Sequence, residues 1–155
     1  MGKDSKPSDI IVNKKARHDF TVMDTHEAGI VLKGTEVKAV RNGLAQIREA
    51  FIRVDHGQVW LHNANIEEYS HGNQFNHKPT AARKLLLHKK EIEELFHKSN
   101  IPGNTLVPLR LYWKKNKIKV EVGVCKGKAQ HDRRQDIKER DADREMKRAL
   151  AASRR

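Results

Sequence analysis

The chain contains a single cysteine, Cys125, so neither an intramolecular disulfide nor a cysteine-based zinc cluster can form. The thiol reads as a reduced side chain at a strand end. Aromatic residues make up only 5%, too few for repeated base stacking along a single strand. No apolar run approaches the ~20 residues of a membrane span. Met1 to Ser8 carry no apolar signal core, and Lys6 stands where a myristoylation signal needs Ser or Thr. A cytoplasmic protein with no membrane contact is expected. The GxxxxGK[ST], GxSxG and HExxH patterns are all missing, which removes the visible machinery for NTP hydrolysis, esterase and zinc-protease chemistry. The nine histidines show no paired-ligand spacing, so no metal or cofactor is expected.

What the chain does have is positive charge. Its 155 residues hold 32 Lys and Arg against 20 Asp and Glu, a net +12, and the pI is near 10.0. A phosphate-rich polymer is the partner that such a balance suggests. The length suits one modest core. Residues 1–9 read as a disordered N-terminus, 10–125 as the folded module and 126–155 as a basic tail. From Lys126 on, eleven basic and six acidic residues leave a net +5, and Ile137, Met146 and Leu150 are the large apolar residues. Such a segment has little to pack into a core and orders by binding an acidic partner. Asp136 with Arg140 and Asp143 with Lys147 are i,i+4 pairs that each add about 0.2–0.5 kcal/mol to a helix. A tail that is frayed when free and helical when bound follows.

Within the module, Ile10–Val12 reads as a short strand or anchor before the basic stretch Asn13–His18. Phe20–Val22 and Gly29–Leu32 read as strands separated by a loop or bulge at 24–28. Thr35–Arg41 opens on a capping residue and closes at Asn42-Gly43, predicting a short helix that buries Val37, Val40 and Leu44. Phe51–Val54 and Val59–His62 flank a four-residue turn and predict a hairpin. Residues 70–79 read as a polar surface loop, and Arg83–Leu87 as a strand or helix approach. A helix is expected over 88–98, where Ile92, Leu95 and Phe96 recur at helical spacing. Thr105–Trp113 and Lys117–Lys126 form a second hairpin through Lys114–Asn116. There Ile118, Val120, Val122 and Val124 alternate with Lys117, Lys119, Glu121 and Gly123, a period of two that gives one core face and one solvent or ligand face. Several short strands with two short helices and no βαβ rhythm predict a mainly β fold, a small closed antiparallel barrel of the OB type.

Two groups of cations stand out: Lys14, Lys15, Arg17, Lys33, Lys38 and Arg41 in the first third, then Arg83, Lys84, Lys89, Lys90 and Lys98. Together they suggest a surface that tracks the backbone of folded RNA. Glu27 and Glu36 read either as ordinary carboxylates, Glu36 favoured by a helix N-terminus, or as acceptors for base amino groups. His131-Asp132 invites a ribonuclease reading, but sequence adjacency does not orient the ring, and the tail supplies no pocket that excludes water. A contact histidine is the alternative.

The runs Asn13–His18, Glu27–Lys38, Arg83–Leu87, Leu111–Lys114 and Gly123–Asp132 together resemble the SsrA-binding protein (SmpB) family, in order and at natural spacing over most of residues 10 to 141. The resemblance implies a non-enzymatic protein with an OB-like barrel and flanking helices. It implies binding to the tRNA-like domain of transfer-messenger RNA (tmRNA) in trans-translation, where the barrel stands in for the missing anticodon arm. It places Asn13, Glu27 and Leu86 on the RNA-binding face, with Lys14, Lys38, Arg41, Arg83 and Lys84 as phosphate contacts. The tail is implied to enter the decoding centre and the empty mRNA channel of the small ribosomal subunit. There His131 stacks on a base, and Lys126, Lys128, Asp132, Arg133, Arg134, Lys138 and Arg140 meet the ribosome, with Gly127 providing the bend between barrel and tail. Elongation factor Tu, carried with aminoacylated tmRNA, is a further implied partner, and a monomer is the expected state. Asp141 stands where the family usually has Glu, and Ala142 where some relatives carry Trp, so an aromatic anchor there is missing.

Overall fold

The structure is a computed structural model, and it describes residues 8–68, 77–128, 140 and 142–149. The chain opens with β1 (Ser8–Val12) and α1 (Lys14–Asp19), then runs through β2 (Phe20–Ile30) and α2 (Gly34–Arg41). Two small strands, β3 (Ala45–Gln46) and β6 (Asn65–Ile66), pair with each other around the hairpin of β4 (Phe51–Asp55) and β5 (Gln58–His62). After β7 (Arg83–Leu86) come α3 (Lys89–Ser99) and the long hairpin of β8 (Asn104–Lys114) and β9 (Lys117–Gly127). The larger sheet has the order β1-β8-β4-β5-β7-β2-β9, and β8 also pairs with β9.

The alternation read on the last strand holds as far as Val122; Gly123, expected on the outward face, is buried as well, because Leu109 covers that face. Ile118, Val120, Val122 and Val124 are buried. They pack with Ile52, Val59, Leu61, Leu85, Leu106 and Leu111 from the other strands and with Leu95 of α3. Phe96, from the same helical repeat, is 47% exposed. Cys125 is buried and unpaired, and burial pushes its thiol up to about 11.

Both hairpins turn on two residues rather than on longer loops. His56 and Gly57 have φ of 48° and 73°, and Lys115 and Asn116 have φ of 50° and 61°, the left-handed pair that matches the twist of tight hairpins.

Several local expectations change. Residues 24–28 are neither loop nor break: β2 is continuous and pairs with β9 from Phe20 opposite Gly127 to Gly29 opposite Lys119, with one register shift between Val22 and Asp24. Pairing along β9 overrides the poor strand preference of Asp24 and Glu27. The basic stretch after Asn13 is α1. In α2 the N-cap is Lys33, two residues before Thr35, and Lys33 donates its backbone N–H to Glu36 Oε1 at 2.9 Å. Its buried side is Ala39 and Val40, with Val37 partly buried and Leu44 38% exposed. The polar loop falls mostly in 69–76, outside the described residues. His77 at its end is 2% exposed, with Nδ1 2.8 Å from the Thr35 hydroxyl and Nε2 2.8 Å from the Ile66 carbonyl. Residues 140 and 142–149 of the tail are helical, with exposed side chains.

Candidate nucleic-acid interface

Successive strand residues point to opposite faces, which decides the fate of the two leucines in β7. Leu85 is 1% exposed in the core, and Leu86 is 52% exposed on the outside. Leu86 pairs with Gly29 of β2, and Gly29 pairs on its other side with Lys119 of β9. A Cβ on Gly29 would lie 3.3 Å from that of Leu86, so the absent side chain lets the leucine lie along the strand. Leu86 thereby forms a ridge between two hollows. One, of about 350 Å³, is lined by Leu32, Val37, Trp113 and Ile118, and the other, of about 580 Å³, by Glu27, His26, His88 and Glu91.

Glu27 is held from the neighbouring long hairpin. The Tyr112 hydroxyl donates to its Oε2 at 2.6 Å, and Lys114 Nζ lies 3.0 Å from the same oxygen. The tyrosine hydrogen bond first, and then the lysine, hold the Glu27 carboxyl below the usual carboxylate range. Burial, aided by Glu27, pushes the Tyr112 hydroxyl up. Arg110 donates to Glu121 at 2.8 Å and to Asp9 at 2.5 Å and lies 4.2 Å from the Tyr112 ring centre. Four strands thus fix one ionised carboxylate beside an exposed leucine.

The expected cations divide. Lys14, Lys38 and Arg41 are exposed on α1 and α2, with the Arg41 guanidinium 5.5 Å from the Trp113 ring. Lys84 is half-buried on the outer face, paired across the sheet with Trp60.

Asn13 and Arg83 do not reach the surface. Asn13 is fully buried: its amide nitrogen donates to the carbonyls of Ile47 and Pro108 at 3.0 and 2.9 Å, and its side-chain oxygen accepts the Ala16 N–H at 3.0 Å. It caps α1, and every hydrogen-bonding position on its amide faces the protein. Arg83 is 3% exposed. It pairs with Glu36 and donates to the Ala64 carbonyl at 2.8 Å and the Pro79 carbonyl at 3.0 Å. Both are structural residues of the body, and so is Glu36, which is 4% exposed.

At the start of the tail, Lys126 and Gly127 are exposed. Gly127 is still in the ladder opposite Phe20, and the Lys128 N–H donates to the Asp19 carbonyl at 3.0 Å. Gly127 thus belongs to β9, and its pairing with β2 is continued by the Lys128 bond to the flank of that strand. Arg140 is exposed and helical. His131, Asp132, Arg133, Arg134 and Lys138 lie outside the described residues.

Sequence reasoning missed Tyr112 and Lys114 as partners of Glu27, because 85 and 87 residues separate them. Lys119 was legible as an outward position of an alternating strand.

The family described as SmpB protein matches residues 10–152. An SsrA-binding protein of Streptomyces avermitilis is 48% identical over 99% of this chain and 86% of its own length. That of Carboxydothermus hydrogenoformans is 50% identical over 92% of this chain and 96% of its own. A solved chain from "tmRNA-SmpB: a journey to the center of the bacterial ribosome" superposes with a TM-score of 0.67 at 41% identity, covering 79% of this chain and 87% of that one. Likeness of this depth over nearly the whole length, on a fold that exposes Leu86 beside a clamped Glu27, leaves one assignment: the chain belongs to the SmpB family.

Proposed function

We propose that this protein binds the tRNA-like domain of tmRNA and brings it to stalled ribosomes in trans-translation, in place of an anticodon arm. The observation that carries the reading is the pairing of an exposed Leu86 with an ionised Glu27 at adjoining hollows, in a chain of net charge +12. A leucine spends its exposure on an apolar contact such as a sugar or base face, while the carboxylate accepts from base amino groups, a discrimination that cations cannot supply. Lys14, Lys38, Arg41, Lys84 and Lys119 track the phosphates around that point.

The strand pairings support an OB-like barrel: from β8 through β4, β5, β7, β2 and β9 the ladder returns to β8. The tail, including His131, is assigned to the decoding centre and mRNA channel of the small subunit, and elongation factor Tu to the same delivered complex. The protein acts as a monomer and by binding alone, as the bond-making steps belong to the ribosome and the synthetase.

The test is competition at near-physiological salt between the tRNA-like domain and an ordinary tRNA. Wild type favours the former by about tenfold or more, roughly 1.4 kcal/mol. Glu27→Ala and Leu86→Ala each reduce that preference. Equal binding of both RNAs, indifferent to Glu27, sinks the reading. His131→Ala leaves RNA intact and tmRNA affinity near normal while lowering rescue in a reconstituted translation assay.

A further inference from the structure

Away from the Glu27 hollow, the hairpin of β4 and β5 turns its outward residues toward the end of α3. Ile52, Val59 and Leu61 go to the core, so Phe51, Arg53, Trp60 and His62 share the outer face, with Phe51 opposite His62 and Arg53 opposite Trp60. Phe51 and His62 are stacked, with ring centres 5.3 Å apart and planes 19° from parallel. The Arg53 guanidinium lies 5.2 Å from the centre of the Phe51 ring. Arg53 is exposed and is paired with no carboxylate among the described residues.

This stack forms one wall of a hollow of about 670 Å³, whose other wall is the end of α3 and the start of β8, with Asn100 and Thr105; Asp55 also lines it. Ser99 and Asn100 mark the far end of α3, while His88 and Glu91, at its start, line the Glu27 hollow. The eleven residues of α3 span about 16 Å, so the two sites are separate.

We propose that this hollow binds a single unpaired nucleotide of RNA whose base carries an exocyclic amino group. The aromatic pair provides a flat apolar wall of the kind on which unpaired bases stack. Arg53, held at that wall and free of acidic partners, meets the phosphate. The amide of Asn100, the hydroxyl of Thr105 and the carboxylate of Asp55 meet the base edge, and the carboxylate favours adenine or cytosine over uracil because it can only accept. Charge complementarity commits the occupant to nucleic acid: the stacked aromatic wall carries a cation with no carboxylate partner among the described residues, in a chain of net charge +12.

The full chain is titrated with single-stranded oligoadenylate, single-stranded oligouridylate and a blunt duplex, following backbone amide resonances. Oligoadenylate shifts residues 51–55, 62 and 99–105. Arg53→Gln and Phe51→Leu, which keep bulk but remove the charge or the ring, each weaken that binding by about fivefold or more. Both variants leave the preference for the tRNA-like domain over tRNA unchanged, which separates this site from the Glu27 face. No binding, shifts spread over the lysines, equal binding of all three probes, or variants that bind like wild type would each overturn the proposal.

Discussion

Glu27 keeps its charge because Tyr112 and Lys114 reach it from another strand. Its carboxyl is held below the ordinary 4.5, so its contribution to stability is present above about pH 4.5 and is lost as the pH falls through the lowered value. Glu27→Gln should therefore differ from wild type in denaturant midpoint at neutral pH, and the difference should fade in acid. Tyr112 behaves in the opposite sense. Its hydroxyl is raised above 10.0, so that contribution is complete below about pH 10 and declines as the pH rises toward the raised value. Tyr112→Phe should remove this alkaline loss and bring the Glu27 carboxyl back up, both readable by NMR titration. Arg83 poses a different case, since it and Glu36 are both buried. Arg83→Met strands the carboxylate and should cost about 3–5 kcal/mol, measured by urea denaturation. RNA affinity of the folded fraction should be nearly unchanged, whereas a phosphate contact would lose affinity at full stability.

Elements whose character rests on local pattern were legible in the sequence: the alternating β9, the α2 stop at Asn42-Gly43, the β4–β5 hairpin and most of α3. Those made by distant pairing were not. β2 reads as two pieces because Asp24 to Glu27 are polar, and only its ladder with β9 joins them. The site follows the same division. Glu27 was legible as one of two candidate base acceptors and Leu86 came from resemblance alone; the outward phase of β7 explains why Leu86 is exposed while Leu85 is not. Asn13 came from the same source but belongs to the scaffold. One edge of β8 is taken by β4 at Leu106 and by β1 from Arg110 to Trp113, and the Asn13 amide occupies the change of partner by bonding Pro108 and Ile47. Asn13→Ala loses a helix cap, worth about 1 kcal/mol, and two further hydrogen bonds of about 1 kcal/mol each. A loss near 3 kcal/mol in thermal or urea unfolding is expected. The tight turn at Lys115-Asn116 offers the reverse: Lys115→Gly relieves a left-handed lysine and should stabilise by about 1 kcal/mol.

At the scale of the whole molecule, the charge of +12 sets how binding responds to salt. Neutralising one outward lysine, Lys84 or Lys119, should weaken RNA binding without changing the preference between RNAs and should reduce the slope of log affinity against log salt by about one. Glu27→Ala should do the opposite, changing preference with little effect on slope. The place of β8 has a consequence of another kind. It pairs with β1, β4 and β9, yet it begins only at residue 104, so the strand on which three others depend is made late in synthesis. Until it emerges, β1 has no neighbour, β4 has one bare edge and β2 awaits β9. Contacts of such long sequence separation fold slowly and expose unpaired edges meanwhile. A nascent chain halted before residue 104 is therefore left as an unfinished, protease-sensitive fragment, so this member of a ribosome-rescue family is itself a poor survivor of interrupted translation.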